Sequence, residues 1–114
     1  MIVPKTPIVN SALFDAVVQR ILSVSSPLRI VLFGSHARGD AGPDSDLDLL
    51  IVEERSNLPR HKRATRYRMA LMDVDLDKDI EVWTPEEIAD WANVPLAFVT
   101  TVLREGKVLY EGPR

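Results

Sequence analysis

Apolar positions along the chain follow two rhythms. Leu13, Phe14, Val17, Val18, Ile21 and Leu22 recur at helical spacing, which predicts an amphipathic helix capped by Asn10 after a Pro-containing leader over residues 1–9. Ser25-Ser26-Pro27 breaks it. LRIVLF (28–33) is a short, β-branched, mainly apolar run and predicts a buried strand. HARGDAGPDS (36–45) is rich in turn formers and predicts a loop, with room for a helical turn at its start. DLDLLIVEE (46–54) predicts a second strand, ending in a charged loop over 55–59. From Arg60 to about Val74 the rhythm is helical again, with Ala64, Tyr67, Leu71 and Val74 on one stripe. DIEVW (79–83) predicts a third strand. Thr84-Pro85-Glu86-Glu87 then carries an N-cap, a proline at N1 and a capping-box glutamate, opening a helix to about Trp91. Pro95 opens another helix through Arg104, stopped by Gly106. KVLYE (107–111) fits a last strand or an extended tail. The order predicts a small α/β or α+β fold in one domain over 1–114, with a sheet of three or more strands packed against helices.

Composition narrows the partners. Apolar residues at 46% and charged residues at 27% are a globular balance, which excludes general disorder. A net charge of −3 supplies no broad positive field, so direct nucleic-acid binding is not favoured. The absence of cysteine removes disulfides and thiolate metal sites. No apolar run approaches the length of a membrane span or a signal-peptide core, so no membrane partner and a cytoplasmic location are expected.

The candidate chemistry is acidic. In a strand, Asp46 and Asp48 share one face, while Leu47, Leu49 and Ile51 take the other. Two such carboxylates repel unless a cation lies between them, and hard divalent ions prefer oxygen ligands shared with phosphates. A lone D-x-D is more often a solvated start to a strand. Here, however, Gly34-Ser35 directly follows the first strand, ten residues upstream. Glycine lets a phosphate approach the backbone closely, and the Ser35 hydroxyl and following N–H groups can bind it; the plain alternative is a simple turn. Arg38 sits in the same loop and is the better placed phosphate ligand. Arg55, Arg60, Lys62, Arg63, Arg66 and Arg68, with His61 among them, spread around most of a helix and read as a solvated surface before a binding face. His36 fits a nucleotide contact or a loop surface equally, and two histidines so far apart make no metal site. Trp83 and Trp91 read as core or interface.

Downstream, DVDLDKDIEVW places acids at 73, 75, 77, 79 and 81, all on one face if the chain is extended, although Asp73 and Asp75 fit a helix end or loop better. A calcium loop counted from Asp75 to Glu86 fails at its sixth position, where Ile80 replaces the required glycine, and at Pro85.

GSHARGDAGPDSDLDLLIV resembles the signature of the DNA polymerase beta-like nucleotidyltransferase superfamily, and the small chain resembles its minimal nucleotidyltransferase (MntA-like) branch. DIEVWTPEEI resembles the strand carrying that family's third carboxylate with its following helix, and FVTTVLREGKVLYEGP its C-terminal end. The resemblance implies that Gly34 and Ser35 contact a triphosphate, with Arg38 and Ser45 in the nucleotide-binding set. It implies that Asp46 and Asp48 hold two Mg2+ ions, and that a third acid ligates one ion and serves as base. Aligned backwards from TPEE, that acid is Asp79, with Glu81 one step along the same face as second choice. The implied reaction is attack by a hydroxyl on the α-phosphate of a nucleoside triphosphate, ATP being the expected donor. The implied acceptor is another macromolecule, in this branch often a HEPN-type helical toxin that the transferase neutralises. The alternative is a binding module of the same fold that neutralises a partner by covering it. Self-association stays open.

Overall fold

Two apolar faces of one sheet organise the chain. The structure, a computed structural model, describes residues 11–112, so the expected leader and the Asn10 cap lie outside the described residues. In chain order the elements are α1 (Ser11–Leu22), β1 (Arg29–Phe33), α2 (Ser35–Arg38), β2 (Leu47–Val52), α3 (Arg60–Arg63), α4 (Thr65–Ala70), β3 (Lys78–Trp83), α5 (Pro85–Ala89), α6 (Phe98–Glu105) and β4 (Lys107–Glu111).

The strands form one mixed sheet in the order β3-β2-β1-β4. β1 is antiparallel to β2 and to β4, and β2 is parallel to β3. This explains the sequence pattern of the central pair. β1 and β2 are covered on both faces, so their runs are apolar at nearly every position rather than alternating. β4, at an edge, stays largely exposed, and KVLYE proves to be a strand rather than a tail.

One face of the sheet, with Ile30, Leu32, Leu47, Leu49, Ile51, Ile80 and Val82, packs under Val17, Val18 and Ile21 of α1 and Tyr67 and Leu71 of the α4 region. The other face, with Val31, Leu50, Val52 and Trp83, packs under Val99 and Val102 of α6. Burying aliphatic side chains of this size stabilises by roughly 1.5–3 kcal/mol each, so these two layers dominate the folding free energy. α6 is locked at its C-terminal end by Gly106. A Cβ there would lie 2.6 Å from Val31 Cγ1 and 2.8 Å from the Leu32 carbonyl oxygen, so only glycine lets the helix end touch β1.

Four expectations need correction. The helix expected over 60–74 is two short helices, α3 and α4, ending at Ala70, with Leu71 and Val74 in the turns that follow. Its apolar stripe nonetheless holds, since Ala64, Tyr67, Leu71 and Val74 are all buried. The helix expected from Pro95 starts at Phe98, and α5 ends at Ala89 rather than Trp91. The basic residues are also not a uniformly solvated surface. Arg63 is buried, donating to the Leu58 and Val82 carbonyls at 2.8 and 3.2 Å and to both Glu87 carboxylate oxygens at 2.7 and 3.0 Å. Arg60 stacks on buried Trp83 with its guanidinium carbon 3.9 Å from the ring centroid. Arg66 and the Tyr67 hydroxyl both donate to buried Glu53. Burial, then Glu53 itself, pushes the Tyr67 phenol pKa up, which keeps it a donor.

Glu87 ties two of these devices together. It closes the capping box with Thr84 and forms a bidentate pair with Arg63. The Arg63 hydrogen bond holds its carboxyl at about 2 against the opposing effect of burial, with the Thr84 N–H adding to the lowering. A carboxylate whose folded pKa lies below its unfolded value stabilises the fold above the unfolded pKa and loses that contribution as pH falls through the folded one. With Glu87 partly open to water, the contribution is roughly 2 kcal/mol after screening. Urea denaturation between pH 5 and 2 is therefore expected to show stability falling towards the acid end, and Glu87→Gln to flatten that slope while lowering stability at pH 7.

Candidate functional site

The site lies where β1 ends and β2 begins. Phe33, the last residue of β1, is paired with Asp48, and Asp48 is paired across the parallel ladder with Asp79. Side chains directly opposite in neighbouring strands point to the same face. Asp48 therefore stands between the end of β1 and Asp79, on the face that carries Leu50 and α6.

Gly34 follows at once. Its φ is 75°, and a Cβ there would lie 2.1 Å from Asp48 Oδ2. Glycine is required twice over at this position: for the left-handed φ and for the space that the Asp48 carboxylate occupies. α2 begins at Ser35, and the Gly34 carbonyl accepts the N–H groups of Ala37 and Arg38 at 3.1 Å each. The N–H groups of Ser35 and His36, in the first turn, have no acceptor within the helix.

The acidic half is held by its surroundings. The Leu47 N–H donates to the Asp77 carbonyl at 2.8 Å, fixing the start of β2 beside β3. Buried His36 lies 3.2 Å from the Ser45 carbonyl through Nε2. A carbonyl only accepts, so Nε2 carries the proton. Ser45 Oγ accepts the Gly42 N–H at 2.8 Å, and the Ser45 N–H donates to the Gly42 carbonyl at 3.2 Å. His36 and Ser45 thus brace the loop that delivers Asp46. Sequence reasoning left the role of His36 open; the signal that could have found it is its position, one residue after Ser35, facing back across the loop.

Asp48 is half-buried, while Asp46 and Asp79 are exposed. Burial first, then the charges of Asp79 and Asp46, push the Asp48 carboxyl pKa up, and His36 and Arg38 partly offset this. The same set thus carries the sequence-predicted acids and Arg38 within electrostatic reach of one carboxylate. Arg38 is exposed, with Nε 3.3 Å from Asp40 Oδ2, and lines a cavity beside Gly34.

Glu81 is placed differently. It sits opposite Leu50, and its Oε1 accepts the Trp83 indole N–H at 3.3 Å. Register therefore puts Asp79, not Glu81, beside Asp48. Asp73, Asp75 and Asp77 precede β3, and Asp73 pairs with Arg20. Residues 78–83 are strand, so no helix–loop–helix calcium unit exists here.

The basic residues Arg60, Arg63 and Arg66 gather at the opposite end, against Trp83, Val82 and Glu53. Asp48 and Val52 are four residue steps apart along β2, a span of roughly 13 Å. Trp91 is exposed rather than core.

Among the described residues, no three His, Cys, Asp or Glu side chains stand close enough to form a ready-made metal cage. The donors near Asp48 are all carboxylate oxygens, and their mutual repulsion is what a divalent cation would relieve. No helix of the described residues is long and apolar enough to cross a membrane.

Two outcomes are expected. A raised folded pKa for an acid means the fold is penalised by that ionised group above its unfolded pKa. Asp48→Asn is therefore expected to raise the melting temperature at pH 7.5 without metal, and to lose the Mg2+-dependent rise expected of the wild type. Gly34→Ala is expected to destabilise by about 1–3 kcal/mol, measured by urea denaturation, because Asp48 has to be displaced.

With this geometry in hand, comparison with known proteins gives two findings. The model of the nucleotidyltransferase domain family matches residues 13–107. A crystal structure from Sulfolobus solfataricus, of a protein named as a candidate nucleotidyltransferase, is similar with a TM-score of 0.59 at 20% identity, over 93% of this chain and 92% of that one. At that identity the likeness shows the fold. No curated protein matches.

Proposed function

The chain belongs to the nucleotidyltransferase domain family, and on that premise we propose that it transfers AMP from ATP to a hydroxyl of a macromolecular acceptor in a Mg2+-dependent reaction. The family takes nucleoside triphosphates and transfers nucleotidyl groups; the donor base, the metal and the acceptor are the further steps of this proposal. The observation that supports it is the approach of Gly34 to Asp48, which brings the Gly34-Ser35 turn against the acidic strand.

Each residue then has a task. The N–H groups at Ser35 and His36, with the Ser35 hydroxyl, bind phosphate oxygens, and Gly34 lets those phosphates come close to the backbone. Arg38 adds positive charge beside the same turn, and the Ser45 hydroxyl proton is free to donate. Asp46, Asp48 and Asp79 would hold two Mg2+ ions, an all-oxygen set that suits a hard cation. When bound, such ions offset phosphate charge and make the attacking hydroxyl more acidic. Asp79, at the outer side of the set, accepts the proton of the acceptor hydroxyl. The hydroxyl oxygen forms a bond to the α-phosphorus, the bond to the β-phosphate breaks in line with it, and pyrophosphate leaves.

The acceptor must come from outside the site. Trp91, Val94 and Leu96 are 44%, 41% and 90% exposed on the segment between α5 and α6, and such apolar surface favours a protein partner. In keeping with the MntA-like resemblance, a HEPN-type helical toxin encoded alongside is the acceptor we propose, with this chain as its cytoplasmic antitoxin. Incubation of that partner with the chain and Mg-ATP is expected to add one nucleotide, read by intact mass spectrometry. Asp46→Ala, Asp48→Ala and Asp79→Ala should each slow transfer by at least ~10²-fold. Neutralisation of the partner by Asp48→Ala as effectively as by wild type would instead favour the non-catalytic binding module.

A further inference from the structure

The cavity beside Gly34 shares Gly34 and Arg38 with the proposed phosphate site, but its remaining walls have no part in the chemistry above. Its volume is about 280 Å3, and its walls include Phe33 and Gly34 at the end of β1, Ala37 of α2, and Phe98, Thr101 and Glu105 of α6. Phe33 and Phe98 meet edge to face, with centroids 5.4 Å apart and planes at 83°. Phe98 remains 45% exposed, so part of its ring is uncovered. Residues three and four apart share a helix face, which sets Phe98, Thr101 and Glu105 in a row along α6. The close approach of Gly106 to β1 seats the end of that row.

We propose that this cavity holds the base of the donor nucleotide, with Phe98 as the stacking wall and Glu105 as the acceptor that selects an exocyclic amino group. The inference rests on the nucleotidyltransferase reading, because it takes the phosphates to lie at Gly34-Ser35, and the cavity opens from Gly34 itself. The volume is below the usual range for a whole drug-sized ligand and suits one planar ring system, with the phosphates left outside. An aromatic face stacks with any base. Discrimination therefore falls to the polar rim. A carboxylate only accepts, so Glu105 favours adenine or cytosine and disfavours uracil or guanine, which present a carbonyl oxygen at the matching position. Glu105 is exposed, with Arg104 3.3 Å away as a weak competing partner.

Calorimetry in Mg2+ with ATP, UTP and inorganic tripolyphosphate separates the base from the phosphates. The wild type is expected to bind ATP more tightly than UTP, and UTP more tightly than tripolyphosphate. Phe98→Ala is expected to weaken ATP by about tenfold and to leave tripolyphosphate unchanged. Glu105→Gln, an exposed change with little folding risk, should narrow the ATP-to-UTP gap, since an amide can turn its N–H to the uracil oxygen. Equal binding of ATP and tripolyphosphate by the wild type would overturn the base cavity and leave the phosphate site standing. Unchanged ATP binding in Phe98→Ala, or an unchanged ATP-to-UTP ratio in Glu105→Gln, would overturn it as well. Binding of none of the three would bring down the nucleotide reading and this inference together.

Discussion

The pairing of β2 between β1 and β3 is the constraint on which the rest depends. Phe33 opposite Asp48, and Asp48 opposite Asp79, set the site. A slip of one residue of β2 would turn Asp48 into the layer under α1 and α4 and move Leu47 and Leu49 to the α6 face. Register is protected against that slip because both faces of β2 are buried. Leu47, Leu49 and Ile51 are needed on one side, and Leu50 and Val52 on the other. The carboxylates thus stand where they do because the aliphatic residues that follow them have nowhere else to go.

The same sheet keeps two kinds of charge apart. Among the described residues, no ion pair neutralises the acids at the start of β2, and burial with the charges of Asp79 and Asp46 pushes the Asp48 pKa up despite the partial offset from His36 and Arg38. At its far end, Glu53 and Glu87 are met by Arg66 and Arg63, and Glu87 is held ionised far into acid. The contrast is one of partners. Arginine forks satisfy carboxylates at the structural end, whereas the other end leaves its oxygens available. The backbone is specialised there too, since Gly34 has a positive φ and leaves no room for a Cβ beside Asp48.

Braces around the site convert a loop into a defined object. His36 reaches across to the Ser45 carbonyl, and Ser45 closes a turn on Gly42. α6 is then seated by Gly106 against β1, which brings Phe98 beside Phe33 and gives the site a second, apolar wall. Asp48, Asp79 and this wall lie on the same face of the sheet.

Much of this was legible in the chain. Binary pattern located α1, the three strands up to Trp83 and the capping box at Thr84, because these depend on neighbours within a few residues. The spacing of Gly34, Ser35, Asp46 and Asp48 marked them out in the sequence, and the structure brings Gly34 against Asp48. What the sequence left open were choices between residues of equal local merit. Asp79 and Glu81 share a face of one strand, and only the pairing of β3 with β2 sets Asp79 beside Asp48 while Trp83 takes Glu81. KVLYE could be strand or tail until β1 offered it an edge. The basic run looked solvated because side-chain periodicity carries no information about a partner such as Glu87, twenty-four residues away from Arg63. Local sequence determines which elements form and which face each buries. Which distant polar groups meet is decided by sheet register and helix seating, since those contacts join residues whose separation in the chain no local pattern records.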